Sequence, residues 1–148
     1  MGHKTLFLTA FFSAWLVVAP ALAQDRASLE ALSAVGTPYF RGGDTPERGF
    51  DCSGLVVYVY RNALGVHLPR SVAELKTVGK PVRLRELQPG DLLFYNTRHA
   101  PYSHVGIYVG GGRFVHAPRP GARVRVEEIG KAYWRERFNG ARRIQSGA

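Results

Sequence analysis

The pattern of apolar and polar positions divides the chain into an apolar leader, a helical first half and a strand-rich second half. Leu6 to Val18 runs 13 residues without a charge, after the basic start Met1-Gly2-His3-Lys4 and before Pro20-Ala21-Leu22-Ala23. A basic start, a short apolar run and an Ala-x-Ala end are the marks of a secretory signal peptide. The run is short for a bilayer core, which takes about 20 apolar residues. Residues 1–23 are therefore expected to leave after Ala23, with 24–148 as one exported domain and no membrane anchor behind. Ala27 to Ser33 holds helix formers, and Gly36-Thr37-Pro38 breaks the chain. Arg41 to Gly49 reads as a loop. Leu55 to Leu64 carries a β-branched and aromatic run that favours a strand by propensity. Asp51 and Ser53 are good N-caps, however, and Gly65 stands where a C-terminal cap belongs, so the segment is predicted as a helix.

Further on, Glu74 to Gly79 is a short turn-bounded segment and Leu87 to Asp91 a turn. Leu92 to Tyr95 reads as a strand. Val105 to Val109, three glycines, and Arg113 to His116 read as a β-hairpin. Arg123 to Val126 alternates as a strand does, and Arg137 to Ile144 is expected as a last edge strand. Early helices and late strands give an α+β class with an antiparallel sheet.

Composition narrows the chemistry. With 148 residues, 45% of them hydrophobic, the chain is globular and has room for one core. One cysteine excludes an intrachain disulfide and any thiolate-rich zinc site. Exported chains favour disulfides. A lone thiol is then an intermolecular partner, a reactive group or a buried inert side chain. The formal charge is +9. Loss of Lys4 leaves 19 basic against 11 acidic residues, or +8. Solvated arginines or attraction to an anionic polymer both account for it. Export, and the lack of a stacking motif, argue against nucleic acid.

Cys52 stands in Asp51-Cys52-Ser53-Gly54, at the start of the predicted helix. A helix N-terminus stabilises a thiolate through its exposed amides and dipole. A cysteine nucleophile also needs an imidazole, and the imidazole an orienting group. His104 and His116 lie on the two arms of the predicted hairpin. An odd-length turn centred on Gly111 places them on one face as diagonal neighbours; an even turn without a bulge places them on opposite faces. Cys52, His104 and His116 also number three potential zinc ligands. There is no His-Glu-x-x-His run and no carboxylate cluster beside the histidines, so no metal and no cofactor is expected. Asp51 is read as a cap, Asp91 as turn chemistry, and His67 and His99 as surface residues, His99 with a rim role open to it. Arg70 is read as structural, with a substrate carboxylate as the alternative.

Seven strings in order resemble the NlpC/P60 cysteine peptidases of bacterial cell walls. They are Pro38-Tyr39 with Gly42-Gly43, Gly49 to Val56 around Cys52, Leu68-Pro69-Arg70, Leu87 to Leu92, Ser103 to Tyr108, Phe114 to Pro118, and Gly140 to Arg143. The resemblance spans roughly Ala34 to Ile144 and implies a papain-like α+β fold, N-terminal helices packed on an antiparallel sheet. It implies Cys52 as nucleophile, His104 as general base, His116 as orienter, and Tyr39 as an oxyanion donor beside the Cys52 amide. The loop from Gly43 to Cys52 is slightly longer than the family pattern, which bears on the place of Tyr39. The function implied is an exported cysteine endopeptidase of peptidoglycan stem peptides, in the periplasm or extracellular wall. The bond is γ-D-glutamyl–diamino acid or the D-Ala–diamino acid cross-link. A non-catalytic wall-binding module and a thiol acyltransferase on a related fold are the rival classes. A monomer is expected, with an envelope adaptor protein as a possible partner for placing the substrate.

Overall fold

Small side chains on one helix face set the first packing contact. In the computed structural model, which describes residues 19–145, Ala27 and Ala31 on α1 (Ala19–Ser33) and Ala34 just past it are buried. That face lets α1 lie close against α2 (Cys52–Leu64), and Asn62 of α2 donates to Glu30 across the pair at 2.7 Å. The signal segment expected over 1–23 lies outside the described residues, save Ala19–Ala23 in the first turns of α1.

Capping overrides β propensity in α2. The Asp51 carboxylate accepts from the Gly54 amide at 2.8 Å, and Gly65 closes the other end at φ 64° with its amide on the Arg61 and Tyr60 carbonyls. Each end thus carries a cap. The β-branched and aromatic positions become a helical stripe, with Leu55, Val56, Val59 and Tyr60 buried.

The loop after α1 folds into a small hairpin, β1 (Asp44–Thr45) with β2 (Gly49–Phe50). After α2 come α3 (Val72–Leu75), β3 (Lys80–Val82), β4 (Leu92–Tyr95), β5 (His104–Gly110) and β6 (Arg113–His116). Then follow β7 (Arg125–Glu128), α4 (Ala132–Arg137) and β8 (Phe138–Arg143). Six strands form an antiparallel sheet in the order β3-β8-β4-β5-β6-β7. The α+β class and the predicted helix and hairpin stand. The last strand does not lie at the edge: β8 sits between β3 and β4. The edge belongs to β3, an exposed Lys-Pro-Val segment whose proline hides the strand signal but is tolerated at a sheet edge.

The sheet has a core on each face. Leu92, Phe94, Val105, Ile107 and Val115 pack toward α1 and α2. Leu93, Tyr95, Phe114 and Ala141 pack on the other side under Trp134 of α4. With no disulfide, one buried ion pair helps tie the turn before β4 to β8. Asp91, fully buried, takes Arg143 through both its oxygens at 2.9 and 2.8 Å, and takes the Gln88 amide at 2.8 Å.

The helix start is held close to the loop before it. A Cβ on Gly54 would overlap the carbonyl oxygen of Gly43, which is backbone and cannot swing aside. Gly54→Ala is therefore expected to destabilise the fold by about 3 kcal/mol or more. A urea midpoint equal to that of the unaltered protein would contradict this close approach.

Candidate active site

Cys52 opens α2, so its amide is one of the unpaired N–H groups at a helix start. Its flanking residues are locked. Asp51 takes the amides of Gly54 at 2.8 Å and Gly42 at 2.9 Å, and pairs with Arg70 at 2.9 Å. Arg70 also donates to the Ser53 hydroxyl at 2.7 Å and the Gly43 carbonyl at 3.4 Å. Burial alone would raise the Asp51 carboxyl, but Arg70 and the two amides outweigh it and hold it below its usual range. These contacts give Asp51 its cap and Arg70 its structural part.

The Cys52 sulfur is buried. Burial pushes the thiol above its ordinary value, and the Asp51 charge adds to this. The backbone amides of Val105 and Ser53 and the Arg98 cation act in the opposite sense. Cys52 packs in the same buried cluster as Val105, the residue next to His104 at the start of β5.

The hairpin register decides the place of the histidines. Ile107 faces Val115 and Tyr108 faces Phe114, a register centred on Gly111, with a bulge at Gly110 taking up the irregularity. His104 and His116 then share a face as diagonal neighbours. His104 Nε2 and His116 Nδ1 are 2.8 Å apart and both side chains are buried. Trp134 closes over them, stacked on the His104 ring at 6.0 Å and edge-on to His116 at 5.0 Å. Burial pushes His104 down to about 3, with His116 and Arg98 adding to the effect. Burial, then Arg125, pushes His116 down to about 3 as well.

Sequence reading missed the residue behind this pair. His116 Nε2 is buried without a hydrogen-bond partner, and the nearest carboxylate oxygen, of Glu127, lies 3.8 Å away. Glu127 itself pairs with Arg125 at 2.8 Å and takes the Trp134 indole at 3.3 Å. The available signal was the alternation of β7, expected over 123–126 but observed over 125–128. Arg125 faces His116 in the register, so Glu127 projects on the same side.

Tyr39 lines the same hollow as Cys52, about 490 Å³ in volume. Its segment is pinned by Tyr39 N to Ala122 O at 3.0 Å, and the longer loop is absorbed in the β1–β2 hairpin. His104 and His116 open on a second hollow of about 730 Å³. Arg41 and Arg98 line both. His67 and His99 are exposed and line neither. Among the described residues, no group of three His, Cys, Asp or Glu side chains is placed to hold a metal.

A sequence-family model described as the NlpC/P60 family matches residues 36–143. A gamma-DL-glutamyl hydrolase of Bacillus subtilis is 42% identical over 128 residues, 86% of this chain and 31% of the relative. Murein DD-endopeptidase MepH of Escherichia coli is 37% identical over 118 residues, 78% of this chain and 44% of the relative. The chain thus spans less than half the length of these two curated relatives. Among solved structures, the NlpC/p60 domain of peptidoglycan hydrolase SagA superposes with a TM-score of 0.70 at 34% identity, covering 82% of this chain and 98% of that one. An NlpC/P60 family protein from Bacillus cereus gives 0.76 at 31% identity, covering 84% and 41%.

The buried neutral imidazoles have a consequence for stability. In the unfolded chain they titrate near 6.5. Between that value and about 3 the unfolded state binds more protons, so stability falls as pH falls through this window. The slope is up to about 1.4 kcal/mol per pH unit for each imidazole. Urea midpoints at pH 7 and pH 5 are expected to show a marked loss at pH 5. His116→Gln, which removes one titrating ring, is expected to shrink that loss. Equal midpoints in the unaltered protein at both pH values would contradict neutral burial.

Proposed function

The chain belongs to the NlpC/P60 family, and on that premise we propose that it is an exported cysteine endopeptidase hydrolysing peptidoglycan stem peptides. Cys52 is the nucleophile, His104 the base, His116 the orienter, and Tyr39 with the Cys52 amide the oxyanion donors. The observation that carries this reading is the buried His104–His116 pair at 2.8 Å, with Val105, next to His104, in one core with the thiol at a helix start. The basic start, apolar run and Ala-x-Ala over residues 1–23 support export, to the periplasm or extracellular wall.

The pair supplies a tautomer logic. Glu127, 3.8 Å from His116 Nε2, favours a proton on that nitrogen. His116 Nδ1 is then an acceptor, His104 Nε2 the donor to it, and His104 Nδ1 the lone pair left for the thiol. Burial keeps His104 neutral at neutral pH, so its lone pair is free to take a proton. Burial also weakens it as a base, so the imidazolium must be stabilised as the proton arrives. As the sulfur attacks the scissile carbonyl, a C–S bond forms and the thiol proton passes to His104. The oxyanion is held by the Cys52 amide and Tyr39. Collapse breaks the C–N bond, and His104 returns the proton to the leaving amine. Water then attacks the thioester, giving its proton to His104, and the C–S bond breaks to release the acid and restore the thiol. The transient imidazolium is stabilised through His116 by Glu127, which is a positioning residue.

The bond cut is the γ-D-glutamyl–diamino acid bond or the D-Ala–diamino acid cross-link. The relatives named gamma-DL-glutamyl hydrolase and murein DD-endopeptidase support one each. The complete nucleophile–histidine set favours a peptidase over a wall-binding module without activity. The Gly-Phe-Asp-Cys-Ser-Gly context favours it over an acyltransferase.

The protein lacking residues 1–23 is expected to release peptides from purified sacculi, identified by mass spectrometry, and Cys52→Ala to release none. Undiminished release by Cys52→Ala would falsify the thiol mechanism. His104→Ala is expected to lower kcat on the order of 1000-fold or more, and His116→Ala by less, because it orients rather than transfers the proton. Glu127→Gln is expected to lower kcat at unchanged KM and to shift the pH profile. An unchanged profile with lost thermal stability would reduce Glu127 to packing.

A further inference from the structure

The Glu127 oxygen nearest the histidine pair has two claimants. Glu127 Oε1 takes the Arg125 Nε–H at 2.8 Å and stands 3.8 Å from His116 Nε2. The other oxygen takes the Trp134 indole at 3.3 Å and lies 3.8 Å from the Lys131 ammonium. Strand register makes this arrangement. Arg125 faces His116 across β6 and β7, and Glu127, two residues on, projects from the same side. Among the described residues, His116 Nε2 is buried and finds no hydrogen-bond partner. A buried polar nitrogen left unpaired is costly. A shift of one carboxylate oxygen by about 1 Å would relieve that cost, since an N–H···O bond closes at about 2.9 Å. The oxygen stays with Arg125 because the guanidinium is charged, whereas burial keeps His116 neutral.

That balance changes when the pair takes up a proton. In the proposed mechanism His104 receives the thiol proton, and the positive charge is passed toward Glu127 through the 2.8 Å contact with His116. The imidazole then competes for Oε1 as a cation. The Glu127–His116 contact is weak in the resting pair and strong in the charged one, and only interactions of that kind speed a chemical step. The Arg125 side chain is 44% exposed and has water to move into, whereas Glu127 is only 14% exposed.

We propose that Arg125 is a positioning residue that holds Glu127 off His116 in the resting protein and yields it to the ring as the histidine pair becomes charged. The inference rests on the peptidase reading and adds a control on the base of that site. The other charged or titratable groups around the pair are His104 on β5, Lys131 ahead of α4, and Arg41, Arg98 and Arg119 from loops lining the same hollow. Arg125 opposes the protonation of His116 in two ways, by its own charge and by withholding the carboxylate. The two are separable. The first survives replacement of Glu127, and the second does not.

The test is nuclear magnetic resonance of the imidazole N–H groups in the unaltered protein, R125Q, E127Q and R125Q/E127Q. At pH 7 the His116 Nε2 proton of the unaltered protein is expected to lack the downfield displacement of a carboxylate-bonded imidazole. Finding it already displaced overturns the proposal, whether or not any variant folds. In R125Q this proton is expected to move downfield and to exchange more slowly with water. R125K, which keeps a cation within reach of Glu127, is expected to return it close to its original position. The proton affinity of the pair is expected to rise about tenfold in R125Q, one unit of pH. The acid limb of kcat/KM then moves to higher pH. In the E127Q background the same substitution is expected to give a much smaller rise. Equal rises in both backgrounds mean that Arg125 acts by its charge alone, and overturn the proposal. So does an unmoved Nε2 proton in R125Q. The resonance measurements need no turnover, so their failure with peptides still released from sacculi overturns this inference alone. Their success without any release overturns the peptidase reading and leaves the placing of Glu127 by Arg125 standing.

Discussion

Two imidazoles joined at 2.8 Å inside an aromatic enclosure set the terms for everything around them. Because Trp134, Tyr95 and Phe114 exclude water from that face of the sheet, neither ring holds a proton cheaply. A neutral pair has one donor and one acceptor per ring, so fixing a proton at one end fixes the whole chain of tautomers. Glu127 stands at the far end of that chain, at the buried Nε2 that finds no other partner. In the proposed mechanism this is what leaves a lone pair at the near end, where the thiol is.

The thiol is positioned by a different device. The two faces of the sheet carry different cores, and the proposed nucleophile and base come from opposite ones. α2 packs on the aliphatic face, while the histidines project toward α4. They meet at the start of β5, where Val105, next to His104, packs in one core with Cys52. Close approach of Gly43 to Gly54 and the Asp51–Arg70 pair fix the helix start at that point. The glycines of the motif around Cys52 are therefore requirements of backbone distance, and the acid before the cysteine is a requirement of capping. A fold without disulfides is held by packing and a few polar ties, among them Asp91–Arg143, whose carboxylate is fully buried.

The charge that first stood out in the composition acquires a location in the structure. As a total it was compatible with any solvated surface. Five cations line the hollow beside His104, and two of them, Arg41 and Arg98, also line the hollow beside Cys52, where Arg70 is paired with Asp51. No linear pattern announces it, because Arg41, Arg98, Arg119, Arg125 and Lys131 come from several loops and one strand.

The sequence alone determined whatever depends on neighbours along the chain. The caps at Asp51 and Gly65 made a helix of a run that looks like a strand, and the apolar run at Leu92 to Tyr95 and the glycine turn made strands and a hairpin. The ordered motifs named the family and the candidate residues Cys52, His104, His116 and Tyr39. What tertiary structure decided is what depends on residues far apart. It chose the register that puts both histidines on one face, moved β8 from the edge to the interior of the sheet, and brought Glu127 and Trp134 behind His116. The reason is physical: periodicity and capping are local properties, whereas register, strand order and the enclosure of a polar group are settled only when both faces of the sheet have been covered.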